Sequence, residues 1–412
     1  MLVSIFVFSS TPAAWAFCGF YVAKADTHLY NKASQVILAR NHGQTVLTMA
    51  NDFQGDVKNF ALVVPVPTSI TKDQVKVASP KIVERLDAFS APRLVEYFDS
   101  DPCAPFLEDE APMAGARGGE SRDMPKSSNT LGITVEAKFN VGEYDIVILS
   151  AKESGGLETW LNLNGYKIPV GAKQLLQPYI RSSMKFFVAK VNLHKFHDSG
   201  EEFLRPLQIS YESGRFMLPI RLGMVNAKTE QDLIIYLLSS QGQAEITNYR
   251  TVKVPSNVNI PMFVKQEFGH FYKSMFQTAY TREDKKVAFL EYAWNMNSCD
   301  PCSAQPLNPQ ELKDAGVFWV DDANYGTQNN FLTRLHVRYT RNEFPEDLMF
   351  QETSHQEFFQ GRYILQHPFT GESHCPAIRE YEQSLPQRFE QEAQTLAQLT
   401  NWPIEGIRHQ MK

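Results

Sequence analysis

Cys299-Asp300-Pro301-Cys302 sets two thiols two residues apart, with proline before the second. That is the spacing of a redox-active dithiol. In such chemistry Cys299 attacks a substrate disulfide as thiolate and Cys302 resolves the mixed disulfide. A thiolate needs a helix N-terminus or a nearby cation. Here Asp300 puts a negative charge between the sulfurs, and Pro306 and Pro309 interrupt any long helix after Cys302. The same spacing also makes an inert disulfide or half of a zinc knuckle. For zinc, Cys299, Cys302, His374 and Cys375 would complete a Cys3His tetrahedron. Against it, neighbouring side chains such as 374 and 375 diverge, and thiols in an oxidising compartment pair with each other.

Other polar clusters carry less. His194 and His197 form H-x-x-H, but no glutamate follows His194, so a solvated loop is expected. Asp321-Asp322-Ala323-Asn324-Tyr325-Gly326 lacks the acid spacing of an EF-hand and reads as a turn. Glu346-Asp347 after Pro345 reads as the charged first turn of a short helix. The chain has no G-x-S-x-G, P-loop or G-x-G-x-x-G. No complete catalytic motif emerges, and no cofactor is implied.

The compartment decides how the cysteines are read. Met1 to Phe8 is uninterrupted and apolar, Ser9 to Pro12 break it, and Ala14-Trp15-Ala16 supplies the small residues of a cleavage site. A signal peptide over 1–16 with cleavage before Phe17 is expected, although no Lys or Arg precedes the run. The run is far shorter than the roughly 20 residues of a membrane span. An extracytoplasmic protein, periplasmic or secreted, with no membrane span follows as the expectation. All five cysteines, Cys18, Cys103, Cys299, Cys302 and Cys375, then meet oxidising conditions and are disulfide candidates. Cys18 with Cys103, and Cys302 with either Cys299 or Cys375, are the favoured pairings. The net charge of −6, without a block of Lys or Arg, argues against nucleic acid as a partner.

The elements that must position these residues are mixed. The 412 residues suggest two or three domains. A first β-rich segment spans 17–106. Gln35 to Arg40 and Gln44 to Met49 flank Asn41-His42-Gly43 as a hairpin. Phe60 to Pro67 reads as a strand whose Pro65 implies an edge or a bulge. Ser79-Pro80 opens a helix with Ile82, Leu86 and Phe89 on one face. A Gly/Pro/Ser-rich stretch over 107–130 reads as a disordered linker or loop. A second β-rich segment, 131–255, is expected to pack with the first. It holds a hairpin from Ile133 to Leu149, a helix from Leu157 to Leu163, and strands from Phe186 to Leu193, Leu207 to Tyr211, Arg215 to Leu222, Leu233 to Leu238 and Glu245 to Val254. The region 256–412 mixes types. A helix carries Val264, Phe268, Phe271 and Met275. Lys286 to Trp294 reads as a central strand, Thr333 to Tyr339 and Arg362 to His367 as further strands. Pro386 is expected to separate two terminal helical pieces. Strands and helices intermix without βαβ alternation, so the expected class is α+β, β-rich in the N-terminal and middle portions and mixed α/β in the C-terminal third.

Several stretches resemble one bacterial family of uncharacterised secreted proteins, DUF2330. They are Phe17-Cys18-Gly19-Phe20-Tyr21-Val22, Ser90-Ala91-Pro92-Arg93-Leu94-Val95-Glu96-Tyr97-Phe98, Gly142-Glu143-Tyr144-Asp145 with Glu158-Thr159-Trp160-Leu161, Leu218-Pro219-Ile220-Arg221-Leu222-Gly223-Met224, Glu291-Tyr292-Ala293-Trp294, and Phe344-Pro345-Glu346-Asp347-Leu348. The resemblance implies export but no reaction, and it carries over no catalytic residue. The favoured expectation is therefore a soluble exported binding or interaction module with structural disulfides, acting on an unknown protein or small-molecule ligand. An extracytoplasmic thiol–disulfide oxidoreductase and a structural zinc protein are the alternatives.

Overall fold

Every side chain of Val36-Ile37-Leu38-Ala39 is buried, yet neighbours go to opposite sides. Val36 and Leu38 join one apolar cluster, Ile37 and Ala39 another. Ala61-Leu62-Val63-Val64 divides in the same way between two clusters. A strand covered on both faces reads as a continuous apolar run, and two such sheets require cover outside each. The computed structural model describes residues 20–23, 30–54, 60–104, 133–151, 154–164, 166, 172–200, 204–225, 230–298, 304–321 and 329–412.

Among these residues the larger sheet runs in the order Arg250–Lys253, Val287–Asn295, Phe331–Tyr339, Gln231–Ser239, Tyr30–Asn41, Gln44–Gln54, Leu207–Glu212 and Val75–Val77. Phe359–Gln360 pairs beside this path with Val287–Asn295. The sheet is mixed: Gln231–Ser239 runs parallel to Tyr30–Asn41 but antiparallel to Phe331–Tyr339. A second, antiparallel sheet runs Phe20–Ala23, Phe60–Val66, Lys185–Val191, Tyr144–Ala151, Ile133–Val141. The two sheets share one apolar cluster, in which Leu62, Val64, Ile146 and Phe187 meet Val36, Leu38 and Leu47. Helices Ser154–Leu163 and Ala172–Arg181 cover the outer face of the smaller sheet. Helix Lys81–Ser90, through Ile82, Val83, Leu86 and Phe89, covers part of the larger. The class is α+β, as the sequence indicates. The larger sheet draws strands from 17–106, 131–255 and 256–412 alike, so no break in its pairing falls at 255/256.

Several local expectations are corrected. Phe60–Val66 is an inner strand, not an edge. Among the described residues the pairing with Phe20–Ala23 extends to Val63, two positions short of Pro65. Helix Pro376–Thr400 runs straight through Pro386. A proline costs the bond to the carbonyl four residues earlier. Here Pro386 and Glu382 are both exposed, so that carbonyl meets water, while Ala393 and Leu396 anchor the helix from inside. The sequence pattern predicts no element over 172–181, yet a helix, Ala172–Arg181, stands there. It forms with Pro178 inside it because Leu175, Leu176 and Tyr179 are buried together. The segment 215–222 keeps only the short strand Met217–Leu218 before a 3-10 turn at Arg221–Val225. The segment 245–254 splits into Ala244–Ile246 and Arg250–Lys253. His194 and His197 lie on a short helix, Leu193–Ser199, not in a loop. Glu346-Asp347 opens no helix and precedes the strand Leu348–Glu352. The leader, the linker and Asp322 to Gly326 lie outside the described residues.

Candidate functional site

The densest polar chemistry lies inside the larger sheet. Asp232 faces Arg338, and Tyr236 faces Arg334, across the antiparallel pair Gln231–Ser239 and Phe331–Tyr339. On the other side of that pair the register breaks. Leu290 faces Leu335 and Tyr292 faces Arg334, leaving Glu291 as the extra residue. A β-bulge re-aims the side chain it inserts, and here it turns a carboxylate toward the basic residues of the neighbouring strand.

The resulting array is continuous. Asp87, on helix Lys81–Ser90, accepts from Arg334 Nη1 at 2.7 Å and from the Tyr236 hydroxyl at 2.9 Å. Arg334 Nε donates to Glu291 Oε2 at 2.6 Å. His336 Nδ1 lies 2.9 Å from Glu291 Oε1, and its Nε2 lies 2.9 Å from Asp232 Oδ1. Arg338 closes the far end on Asp232 with a two-pronged contact, Nε at 2.8 Å and Nη2 at 2.7 Å. Helix Phe268–Arg282 supplies the lid. The Tyr272 hydroxyl donates to Glu291, Gln277 Oε1 accepts from Arg338 at 2.8 Å, and the Phe276 ring stacks on the imidazole with centroids 3.9 Å apart.

Electrostatics follow from this geometry. Burial alone would raise the Glu291 carboxyl, but Arg334 and His336 outweigh it and hold it at about 2. Burial likewise opposes ionisation of Asp232, and His336 and Arg338 bring it down to about 2. Burial pushes the His336 imidazole down, yet Glu291 and Asp232 raise it above its usual value. With His336 protonated, three carboxylates face two guanidiniums and one imidazolium, and the array is neutral. Carboxylate, imidazole and carboxylate in line is the raw material of general acid–base catalysis. Here both oxygens of Glu291, both of Asp232 and both nitrogens of His336 are already engaged within the fold.

A further buried acid, outside the array, is Asp347. Its Oδ1 accepts from the Tyr179 hydroxyl at 2.6 Å and from the backbone N–H of Ile220 and Arg221, and its Oδ2 accepts from Arg221 Nε at 3.1 Å. It floors a shallow cleft of about 220 Å³ bordered by Arg215, Met217 and Met349. A larger open cleft of about 380 Å³ follows Arg250–Lys253, bordered by Gln243, Glu245 and Tyr249.

The cysteines part company with the expected pairings. Cys103 is bonded to Cys375, with Cα atoms 5.9 Å apart and a sequence separation of 272. Cys103 therefore does not pair with Cys18, nor Cys375 with Cys302. Asp101 organises the junction, accepting from the Cys103 N–H at 2.9 Å and the Ser373 hydroxyl at 2.6 Å. Cys375 caps the N-terminus of helix Pro376–Thr400. That bond and a zinc quartet using the Cys375 thiolate exclude each other, and His374 beside it is exposed. Cys18, Cys299 and Cys302 lie outside the described residues. Among the described residues no three or more of His, Cys, Asp and Glu are grouped to hold a metal ion, and no helix is long and apolar enough to cross a membrane.

Sequence reading missed the array, whose members come from four separated segments. One signal was available. Arg334, His336 and Arg338 alternate with Leu335 and Val337 in a strand whose other residues are apolar or aromatic apart from Thr333. A central strand carrying three cations on alternate positions demands acids nearby.

A family model described as "Uncharacterized protein conserved in bacteria (DUF2330)" matches residues 12–351. No curated protein and no solved structure matches the chain. The matched stretch contains all six charged members of the array and Asp347, but ends before Cys375. On that match over most of its length, the chain belongs to the bacterial family DUF2330.

Proposed function

We propose that this is an exported, non-catalytic binding or interaction protein whose fold is tied by a structural disulfide. The observation that carries the reading is the closure of the acid–imidazole–acid array. Every hydrogen-bonding atom of Glu291, His336 and Asp232 is spent on another side chain, so the array offers rigidity rather than a free base. Recognition then falls to surface clefts. The Cys103–Cys375 bond suits an oxidising compartment, and supports export.

The test joins location and chemistry. Expressed with its own leader, the protein should be recovered outside the cytoplasm with Phe17 as its first residue. The purified protein should not accelerate reduction of insulin by dithiothreitol. Acceleration that disappears in Cys299→Ser would replace this reading with the oxidoreductase.

A further inference from the structure

Three neighbouring residues beside the array, the buried Tyr292 and Gln360 and the partly exposed Arg93, carry buried polar atoms without partners. Gln360, on the short strand Phe359–Gln360, is the register partner of Tyr292. Arg93 begins the strand Arg93–Phe98, its N–H donating to Gly361 O at 3.0 Å. The Gly361 N–H in turn donates to Glu291 O at 2.8 Å, which ties the three positions together. Tyr292 is fully buried and Gln360 is 5% exposed. All three guanidinium nitrogens of Arg93, the Tyr292 hydroxyl, and both amide atoms of Gln360 are shielded from solvent and bonded to no protein group.

One such atom is ordinary; six from three adjoining residues are not. Burial lowers the Arg93 pKa, and the groups acting on it are Tyr292 and Arg362, neither of them a carboxylate. Arg362 is its register neighbour and donates to the neutral Asn257. The cluster is thus positive and rich in donors. The contrast with Arg334 is direct, because that buried guanidinium holds two carboxylates.

The geometry points to an internal site for a small carboxylate that also carries a hydroxyl or amino donor. The guanidinium fork takes either a carboxylate or a phosphate with two parallel bonds; one buried guanidinium neutralises the single charge of a carboxylate and leaves part of a phosphate's charge unpaired, so the carboxylate is favoured. The Tyr292 hydroxyl and the Gln360 N–H add donors to the anion. The Gln360 carbonyl oxygen then requires a donor from the ligand, which acetate lacks and glycolate has. A two-residue strand holds Gln360 over the site, and short, weakly paired elements open most readily.

This deepens the binding reading and rests on it, but the two fail separately. The full mature chain, disulfide intact, is unfolded in urea and refolded in sodium glycolate, acetate, phosphate or chloride at matched ionic strength. Refolding removes any carried ligand and spares the new one a closed entrance. Thermal melting then reads occupancy. Glycolate should raise the melting temperature by at least about 2 °C over chloride, acetate by less, and phosphate not at all. Arg93→Met should lose the glycolate response while melting, in chloride, no lower than the parent. Should Arg93→Met fail to fold, Tyr292→Phe, which removes one oxygen, should fold and show a reduced response. Equal melting in glycolate and chloride, a response to phosphate alone, or an undiminished response in both variants would overturn the site. None of these outcomes alters the expected location or the inertness toward insulin.

Discussion

Glu291→Gln keeps the shape of the side chain and removes its charge. The parent carboxylate is 1% exposed and is engaged by Arg334, His336 and Tyr272. Its loss leaves a buried guanidinium and an imidazolium sharing too little negative charge. Breaking a buried pair from one side costs about 3–5 kcal/mol, far more than such a pair contributes net. The amide still accepts one bond from Arg334, so the lower end, about 3 kcal/mol, is expected. The pH profile must change as well. His336 has a folded pKa raised above its unfolded value of about 6.5. Its contribution is therefore complete below about pH 6.5 and is lost as pH rises through the folded value, with a slope of up to about 1.4 kcal/mol per unit. Glu291 and Asp232, held at about 2, contribute fully above their unfolded values and lose that contribution as pH falls toward 2. The combined contribution of His336, Glu291 and Asp232 should be largest between about pH 4.5 and 6.5. Urea unfolding followed by tryptophan fluorescence across that range and to either side gives both quantities. In Glu291→Gln the decline on the alkaline side should be smaller and should end at lower pH, because His336 loses a partner that raises its folded value while the unfolded value that sets the onset is unchanged. A variant within about 1 kcal/mol of the parent with the same profile would refute the view that this carboxylate neutralises Arg334 and His336.

Three further outcomes are expected. Glu392 lies on the buried face of helix Pro376–Thr400, where burial raises its carboxyl from 4.5 to about 7 against the opposing pull of Arg388. Because that folded value exceeds the unfolded one, the carboxylate costs stability above about pH 4.5; Glu392→Gln should gain up to about 3 kcal/mol at pH 8 and little at pH 4, read by the same urea titration. Removing the bond with Cys103→Ala and Cys375→Ala opens a loop of 272 positions, and should lower stability by about 2–5 kcal/mol in equilibrium denaturation. Asp347→Asn weakens one acceptor for Tyr179, Arg221 and two backbone N–H groups, and should cost about 2–4 kcal/mol by thermal or urea unfolding.

Periodicity made the strands legible and left the site mostly hidden. Val36 to Ala39 and Ala61 to Val64 could be placed because a strand buried on both faces has no polar face to confuse it. Pro386 misled because the rule against proline in helices assumes a carbonyl with nowhere else to turn, and Glu382 has water. Helix Ala172–Arg181 was hidden for the same reason by Pro178. The array depends on a bulge at Glu291 and on strand neighbours far apart in the chain, and neither is written in local sequence. Lys286 to Trp294 reads as a central strand, with Glu291 as the one acid within it. Such a charge in a buried strand needs a partner, and the alternating cations at 334, 336 and 338 were the place to look. The cysteine pairing was beyond reach, since five cysteines carry no record of which elements meet. Cys103 and Cys375 come together only because the strands Arg93–Phe98 and Arg362–His367 lie side by side.

The central claim is that the chain is tied by an inert bond and works without a free catalytic thiol. It is tested most directly by alkylating the protein as exported, before any reduction, and mapping its cysteines by mass. A linked peptide containing Cys103 and Cys375, unmodified by the alkylating agent and stable to glutathione, is the expected result. Free, alkylated Cys103 and Cys375 in the exported protein would contradict it.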